Sequence, residues 1–214
     1  NIVFITCTRF VGKLAEELRK LDIEIFVLVG GRENVRIGFA LSENSKLVNE
    51  KVSNYIGDNE SPHRHLGELL GYPKCCLYDS REESFSRTRW LGKQLAKREE
   101  LKVLDDVLSN PRNYEPTEVV DVVNRNFNPW QRAFFTKGFK PHSLDCSEAI
   151  KIGREVEEIL PTNLRPVIKV FYAINAYLTF MESSIAFGLR PSQSFYELVH
   201  NATSLKERIG NFYL

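Results

Sequence analysis

Cysteine and histidine are scarce in this chain, four of each, and six of those eight fall in two short stretches: His63, His65, Cys75 and Cys76 in the first, His142 and Cys146 in the second. Thiolate and imidazole are the soft and borderline donors that hold zinc or iron, and six of them exceed what a tetrahedral site needs. No C-x-x-C pair occurs, which excludes a zinc ribbon or a bacterial ferredoxin site. All four cysteines sit where the pattern predicts a helix to begin: Cys7 after the first strand, Cys75 and Cys76 just after Pro73, and Cys146 just after Ser143. A helix N-terminus carries partial positive charge that favours thiolate over thiol, and Lys74 and His142 push the same way. Cys75, Cys76 and Cys146 are therefore candidate ligands or nucleophiles. His142 is a candidate ligand or general base, and His65 a further ligand. Against this stands the ordinary behaviour of cysteine as a small buried hydrophobe. Two cysteine-bearing helix starts, each preceded by a loop with proline, also predict that the two stretches meet in space.

Other chemistry is less well supported. The Thr6-Cys7-Thr8-Arg9 turn has no glycine, and Gly30-Gly31 leads into charged residues, so neither nucleotide fingerprint is present. Residues 124–142 contain Arg125, Arg132, Lys137 and Lys140, no acid, and the rings of Phe127, Trp130, Phe134, Phe135 and Phe139. Interleaved cations and rings suit single-stranded nucleic acid. Arg89, Lys93 and Lys97 add a cationic track at four-residue steps. The competing reading makes Trp130, Phe134 and Phe135 core anchors with cationic rims.

The whole-chain composition is neutral ground. With 29 Lys and Arg against 28 Asp and Glu in 214 residues, no global field calls for a nucleic acid, an anionic membrane or an acidic partner. The stretch 167–187 is the most apolar, but Lys169, Asn175 and Glu182 interrupt it, which reads as a core helix rather than a bilayer span. No secretory pattern opens the sequence, and four cysteines are too few for a disulfide scaffold, so a reducing, cytoplasmic setting is expected.

Positioning these residues requires elements, and two periodicities divide the chain. Up to residue 41 the pattern alternates as strand, helix, strand, strand; from residue 42 on it is helical. The expected class is α+β, with a small β-α-β-β unit in residues 1–57 and a predominantly helical domain, residues 58–214, carrying the Cys/His motifs. Within the latter, Gly71 ends one helix and Pro73 starts another; a long charged helix spans 84–108; residues 130–137 are helical; and Ser143 or Asp145 caps a helix running to 160.

The run Leu66-Gly67-Glu68-Leu69-Leu70-Gly71-Tyr72-Pro73-Lys74-Cys75-Cys76 precedes Asn128-Pro129-Trp130 and the run from Lys137 through Pro141-His142-Ser143-Leu144-Asp145-Cys146-Ser147. Together they resemble a largely archaeal family known as domain of unknown function 483, over about residues 60 to 160. That resemblance implies no defined activity. Where the family's second motif carries cysteine near the position of His142, this chain departs from it.

Three readings follow: a thiol- or metal-centred enzyme of undefined reaction, with zinc or iron as the candidate metal; an RNA- or single-strand-binding module using Arg89, Lys93, Lys97, Arg125, Trp130, Arg132, Lys137 and Lys140; or a protein-interaction subunit without catalysis, its aromatic segment docking another protein.

Overall fold

The computed structural model describes residues 3–5, 23–30, 34–41, 64, 67–68, 70–136, 138–188 and 192–213, the first three stretches as backbone. The chain divides into two compact units, Asn1–Glu83 and Ser84–Leu214. In the first, β1 (Val3–Ile5), β2 (Ile23–Gly30) and β3 (Asn34–Leu41) pair antiparallel in the order β1-β3-β2, with Ile5 opposite Ile37 and Val27 opposite Ile37 on its other side. The strands fall where the alternation places them, but the expected α+β class with a β-α-β-β unit gives way to a mostly helical one. The described residues are mostly helical, and every regular element from residue 64 on is a helix or a 3-10 turn. The strand alternation is confined to the first 41 residues, and helical periodicity governs the described residues after it. The helix expected after the first strand, like Cys7, lies outside the described residues.

From residue 81 on, the described residues form six α-helices: α1 (Arg81–Leu95), α2 (Lys102–Ser109), α3 (Pro116–Arg125), α4 (Ser147–Ile159), α5 (Arg165–Ala186) and α6 (Ser192–Tyr213). The single long helix expected over 84–108 is broken. Leu91 and Leu95 are buried, and so are Leu101, Leu104 and Leu108. Leu101 is six residues beyond Leu95, so in a continuous helix it would lie about 240° around the axis, away from the core face. A turn at Ala96 to Arg98 and the 3-10 turn Glu99–Leu101 reset the phase.

Helix α5 is the axis of the second unit. Val170, Tyr172, Ala173, Ile174, Ala176, Tyr177 and Met181 are all at most 1% exposed, the all-round apolarity of a core helix. Several of its polar groups are satisfied inside, although the buried Ser183 hydroxyl is not. Asn175 Nδ2 donates to the Phe134 carbonyl at 2.9 Å, Lys206 Nζ of α6 donates to Asn175 Oδ1 at 2.7 Å, and the Tyr177 hydroxyl donates to Asp105 of α2. The Tyr172 hydroxyl donates to the Gly153 carbonyl of α4 at 3.0 Å. Burial raises its pKa, the Glu157 charge adds to the rise, and Arg132 opposes it.

The segment expected as a helix over 130–137 is instead a 3-10 turn, Pro129–Phe134, closed by a capping box in which Asn128 N–H donates to Gln131 Oε1 at 2.7 Å. It lies against α4 at glycine distance: a Cβ on Gly153 would stand 2.3 Å from the Arg132 carbonyl oxygen and 2.9 Å from Arg132 Cβ. Arg132 is held there by a two-pronged pair with Glu157, Nε to Oε1 at 2.7 Å and Nη2 to Oε2 at 3.0 Å. The obstacle is backbone, which cannot swing aside. Gly153→Ala is therefore expected to destabilise the fold by about 1–3 kcal/mol through overpacking, read as a lower urea midpoint. An unchanged midpoint would contradict this packing of α4.

Candidate metal centre

The first motif is a stop followed by a tight turn. Gly71 adopts φ +72°, Gly71 N–H donates to the Glu68 carbonyl at 3.1 Å, and Tyr72 N–H reaches the Gly67 carbonyl at 2.9 Å. This is the paired bonding of a Schellman helix end, and it requires the left-handed conformation that glycine adopts freely. Space over Gly67 is taken: a Cβ there would meet Leu77 Cδ2 at 2.5 Å and Tyr72 Cδ2 at 3.4 Å. Pro73 follows, its φ of −54° suited to starting a turn, and its carbonyl accepts Cys76 N–H at 2.8 Å.

The helix expected from Pro73 is only the 3-10 turn Lys74–Cys76; Leu77 is extended, and the α-helix begins at Arg81. One such turn has no aligned stack of peptides, so the helix-dipole argument does not apply to Cys75 and Cys76. The turn acts instead through geometry, placing the two sulfurs 3.9 Å apart. Cys75 is exposed and Cys76 is 2% exposed.

The second motif is anchored from several sides. Gly138, at φ +81°, turns the chain. Phe139 is buried with its ring 4.6 Å from that of Phe135, Lys140 Nζ pairs with Glu182 of α5 at 2.9 Å, and Leu144 is 3% exposed. Neither Ser143 nor Asp145 caps the helix that follows. The Ser143 hydroxyl accepts Asp145 N–H at 3.2 Å, closing a local turn, and Cys146 itself is the N-cap, its carbonyl accepting Ile150 N–H at 3.0 Å. Cys146 is 4% exposed and His142 is exposed. The helix-start expectation thus describes Cys146, at the head of the thirteen-residue α4, and not the adjacent pair.

Donor atoms of Cys75, Cys76, His142 and Cys146 all lie within 4.8 Å of one another, a cluster that could hold a metal ion. His65, the fifth candidate ligand, lies outside the described residues, as does His63. The nucleic-acid candidates are dispersed in role. Trp130 is 3% exposed and donates from Nε1 to Glu100 at 2.7 Å, Arg132 is paired with Glu157, and Lys140 is 12% exposed in its pair with Glu182. Phe134 and Phe139 are buried too. Trp130, Phe134 and Phe139 are thus core anchors, and Arg132 and Lys140 brace α4 and α5. Arg89, Lys93, Lys97 and Arg125 are exposed, and Lys137 lies outside the described residues. Sequence reasoning missed the Arg132–Glu157 pair; Glu157 falls in a charged helical run where nothing but an inward phase marks it. Among the described residues, no helix is long and apolar enough to cross a membrane.

Two outcomes follow from burial in the metal-free protein. Alkylation under native conditions should modify Cys75 well before Cys76 and Cys146; simultaneous modification of all three would contradict the site's burial pattern. Burial pushes the Tyr72 hydroxyl up to about 12, with Tyr78 adding to the rise, from the ordinary 10.0. The neutral phenol is thus favoured in the folded state, so its stabilisation is complete below pH 10 and is lost as pH rises through about 12. Ultraviolet titration of the folded protein, compared with Tyr72→Phe, should show that one late tyrosine.

Set beside known proteins, the chain matches no protein-family model, no curated protein and no solved structure.

Proposed function

We propose that Cys75, Cys76, His142 and Cys146 bind one zinc ion as a closed tetrahedral Cys3His centre. The observation that carries this reading is the mutual 4.8 Å limit on the four donor atoms. Thiolates about 2.3 Å from a common tetrahedral ion stand about 3.8 Å apart, and the Cys75 and Cys76 sulfurs are separated by 3.9 Å. Thiolates on different irons of a cluster must stand farther apart than donors sharing one ion, so the spacing favours a mononuclear centre. Between zinc and ferrous iron, a site of three thiolates and one imidazole binds zinc more tightly by the Irving–Williams order. Four protein ligands leave no open position, the pattern of a structural rather than a catalytic zinc. The same four residues lie in the two motifs that resemble domain of unknown function 483, and we propose that this centre is what those motifs encode.

A second reading keeps the cluster but makes it catalytic. Cys75 and His142 are its two exposed members, the arrangement of a thiol nucleophile beside a general base. Metal content separates the two.

Protein produced without a histidine tag should carry one zinc per chain. Cys76→Ser and Cys146→Ser should each weaken zinc binding by more than about 100-fold, beyond the 10–100-fold cost of removing a hydrogen bond that supports a ligand. Because zinc would bind the folded state, a concentration 100-fold above Kd should add about 2.7 kcal/mol to stability, removable by a chelator. Protein that carries no zinc, and whose unfolding ignores both zinc and chelator, would exclude the centre and leave the thiol reading.

A further inference from the structure

Helix α1 has two faces. Inward, Thr88, Leu91, Gly92 and Leu95 are buried, and Gly92 lies so close to α5 that a Cβ there would overlap the Ser183 hydroxyl. Outward, Arg89, Lys93 and, just past the helix, Lys97 recur every four residues and are exposed. Phe85 on the same side is 58% exposed and Trp90 is 42% exposed. Residues 84–98 contain five cations, Arg87, Arg89, Lys93, Lys97 and Arg98, and no acid. In a chain of net charge +1 this is a marked local excess.

The pattern is not what a merely solvated helix face requires. Solvated faces usually interleave both signs of charge and carry few large rings. Here two aromatic rings stand out among cations of one sign, and a third joins them, since the Arg89 guanidinium lies 5.2 Å from the centre of the Phe187 ring. Phe187, at the end of α5, is itself 36% exposed. A guanidinium against a ring makes a flat platform, and flat platforms accept nucleobases. Four residues of helix advance about 6 Å, so Arg89 and Lys93 stand at a spacing matched to successive phosphates of an extended strand, with Lys97 following in the turn beyond the helix.

We propose that the outward face of α1 is a single-stranded nucleic-acid binding surface, with Phe85, Trp90 and the Arg89–Phe187 platform stacking bases and Arg89, Lys93 and Lys97 meeting phosphates. A duplex fits less well, because its bases are already stacked on one another and offer the rings nothing. An acidic polypeptide would use the cations alone. The proposal is independent of the metal centre and shares none of its residues. It also differs from the basic aromatic segment at 124–142, whose Trp130, Phe134 and Phe139 are in the core.

The test is fluorescence anisotropy of a labelled twelve-nucleotide oligouridylate with the full chain at low salt. Binding should weaken as salt rises, and replacing Lys93 and Lys97 by alanine should reduce the slope of log affinity against log salt by about 0.7 for each phosphate that is no longer neutralised. Trp90→Ala should weaken binding about tenfold, the order of one base–aromatic stack. Arg112→Ala, an exposed cation elsewhere, should leave binding unchanged, and circular dichroism should be the same for every variant. No binding by the parent, equal weakening in Arg112→Ala, or insensitivity to Trp90→Ala would overturn the proposal. Competition by polyglutamate as effective as by the oligonucleotide would overturn it too, in favour of an acidic protein partner.

Discussion

Two consecutive side chains can serve one small ion only if the backbone and rotamers bring both donors to one side, whereas a strand sends neighbours to opposite faces. The proposed centre depends on that constraint being met at Cys75 and Cys76. Each residue of the run before them contributes. Gly71 takes the left-handed conformation that ends the preceding helix, Tyr72 and Leu77 close over Gly67, and Pro73 fixes the entry to a single 3-10 turn. Within that turn the two sulfurs stand 3.9 Å apart.

The second half of the cluster is held by packing at a distance from it. Cys146 begins α4, and α4 is fixed by the near approach of Gly153 to the Arg132 backbone, by the Tyr172 hydroxyl on the Gly153 carbonyl, and by the Arg132–Glu157 pair. Such a pair, 17% and 8% exposed, contributes little net stability compared with apolar substitutes, but breaking it strands a charge. Its consequence is rigidity: Arg132 and Lys140, two of the cations that look like a nucleic-acid surface in the sequence, are spent on orienting α4 and α5.

Legibility in the sequence follows from how local each signal is. Gly71-Tyr72-Pro73 reads correctly as a stop because left-handed glycine and fixed-φ proline act within a few residues. Helices α3, α5 and α6 are legible from their periodicity and flanking prolines or glycines. The site residues Cys75, Cys76, His142 and Cys146 can be named from donor type and position, although the helix-start reason for choosing the adjacent pair does not apply. What is not legible is phase and partner. Nothing local shows that the helix after Arg81 breaks at 96–101 to turn Leu101 inward, or that Trp130 faces Glu100 while Trp90 faces solvent. Nor does capping-box spacing at Asp145 and Glu148 reveal that the chain reserves the cap position for Cys146. The α+β class fails for a related reason. Alternation is confined to the first 41 residues, and the described residues after them are helical.

The proposed centre places four protein side chains, three of them cysteines, around one ion. X-ray absorption at the zinc edge of protein purified without a tag reads that shell. A Cys3His centre gives four-coordinate zinc with three sulfurs at about 2.3 Å and one nitrogen at about 2.0–2.1 Å, converting to a shell poorer in sulfur in Cys146→Ser. A shell dominated by oxygen or nitrogen, or zinc absent from protein refolded in its presence, would contradict it.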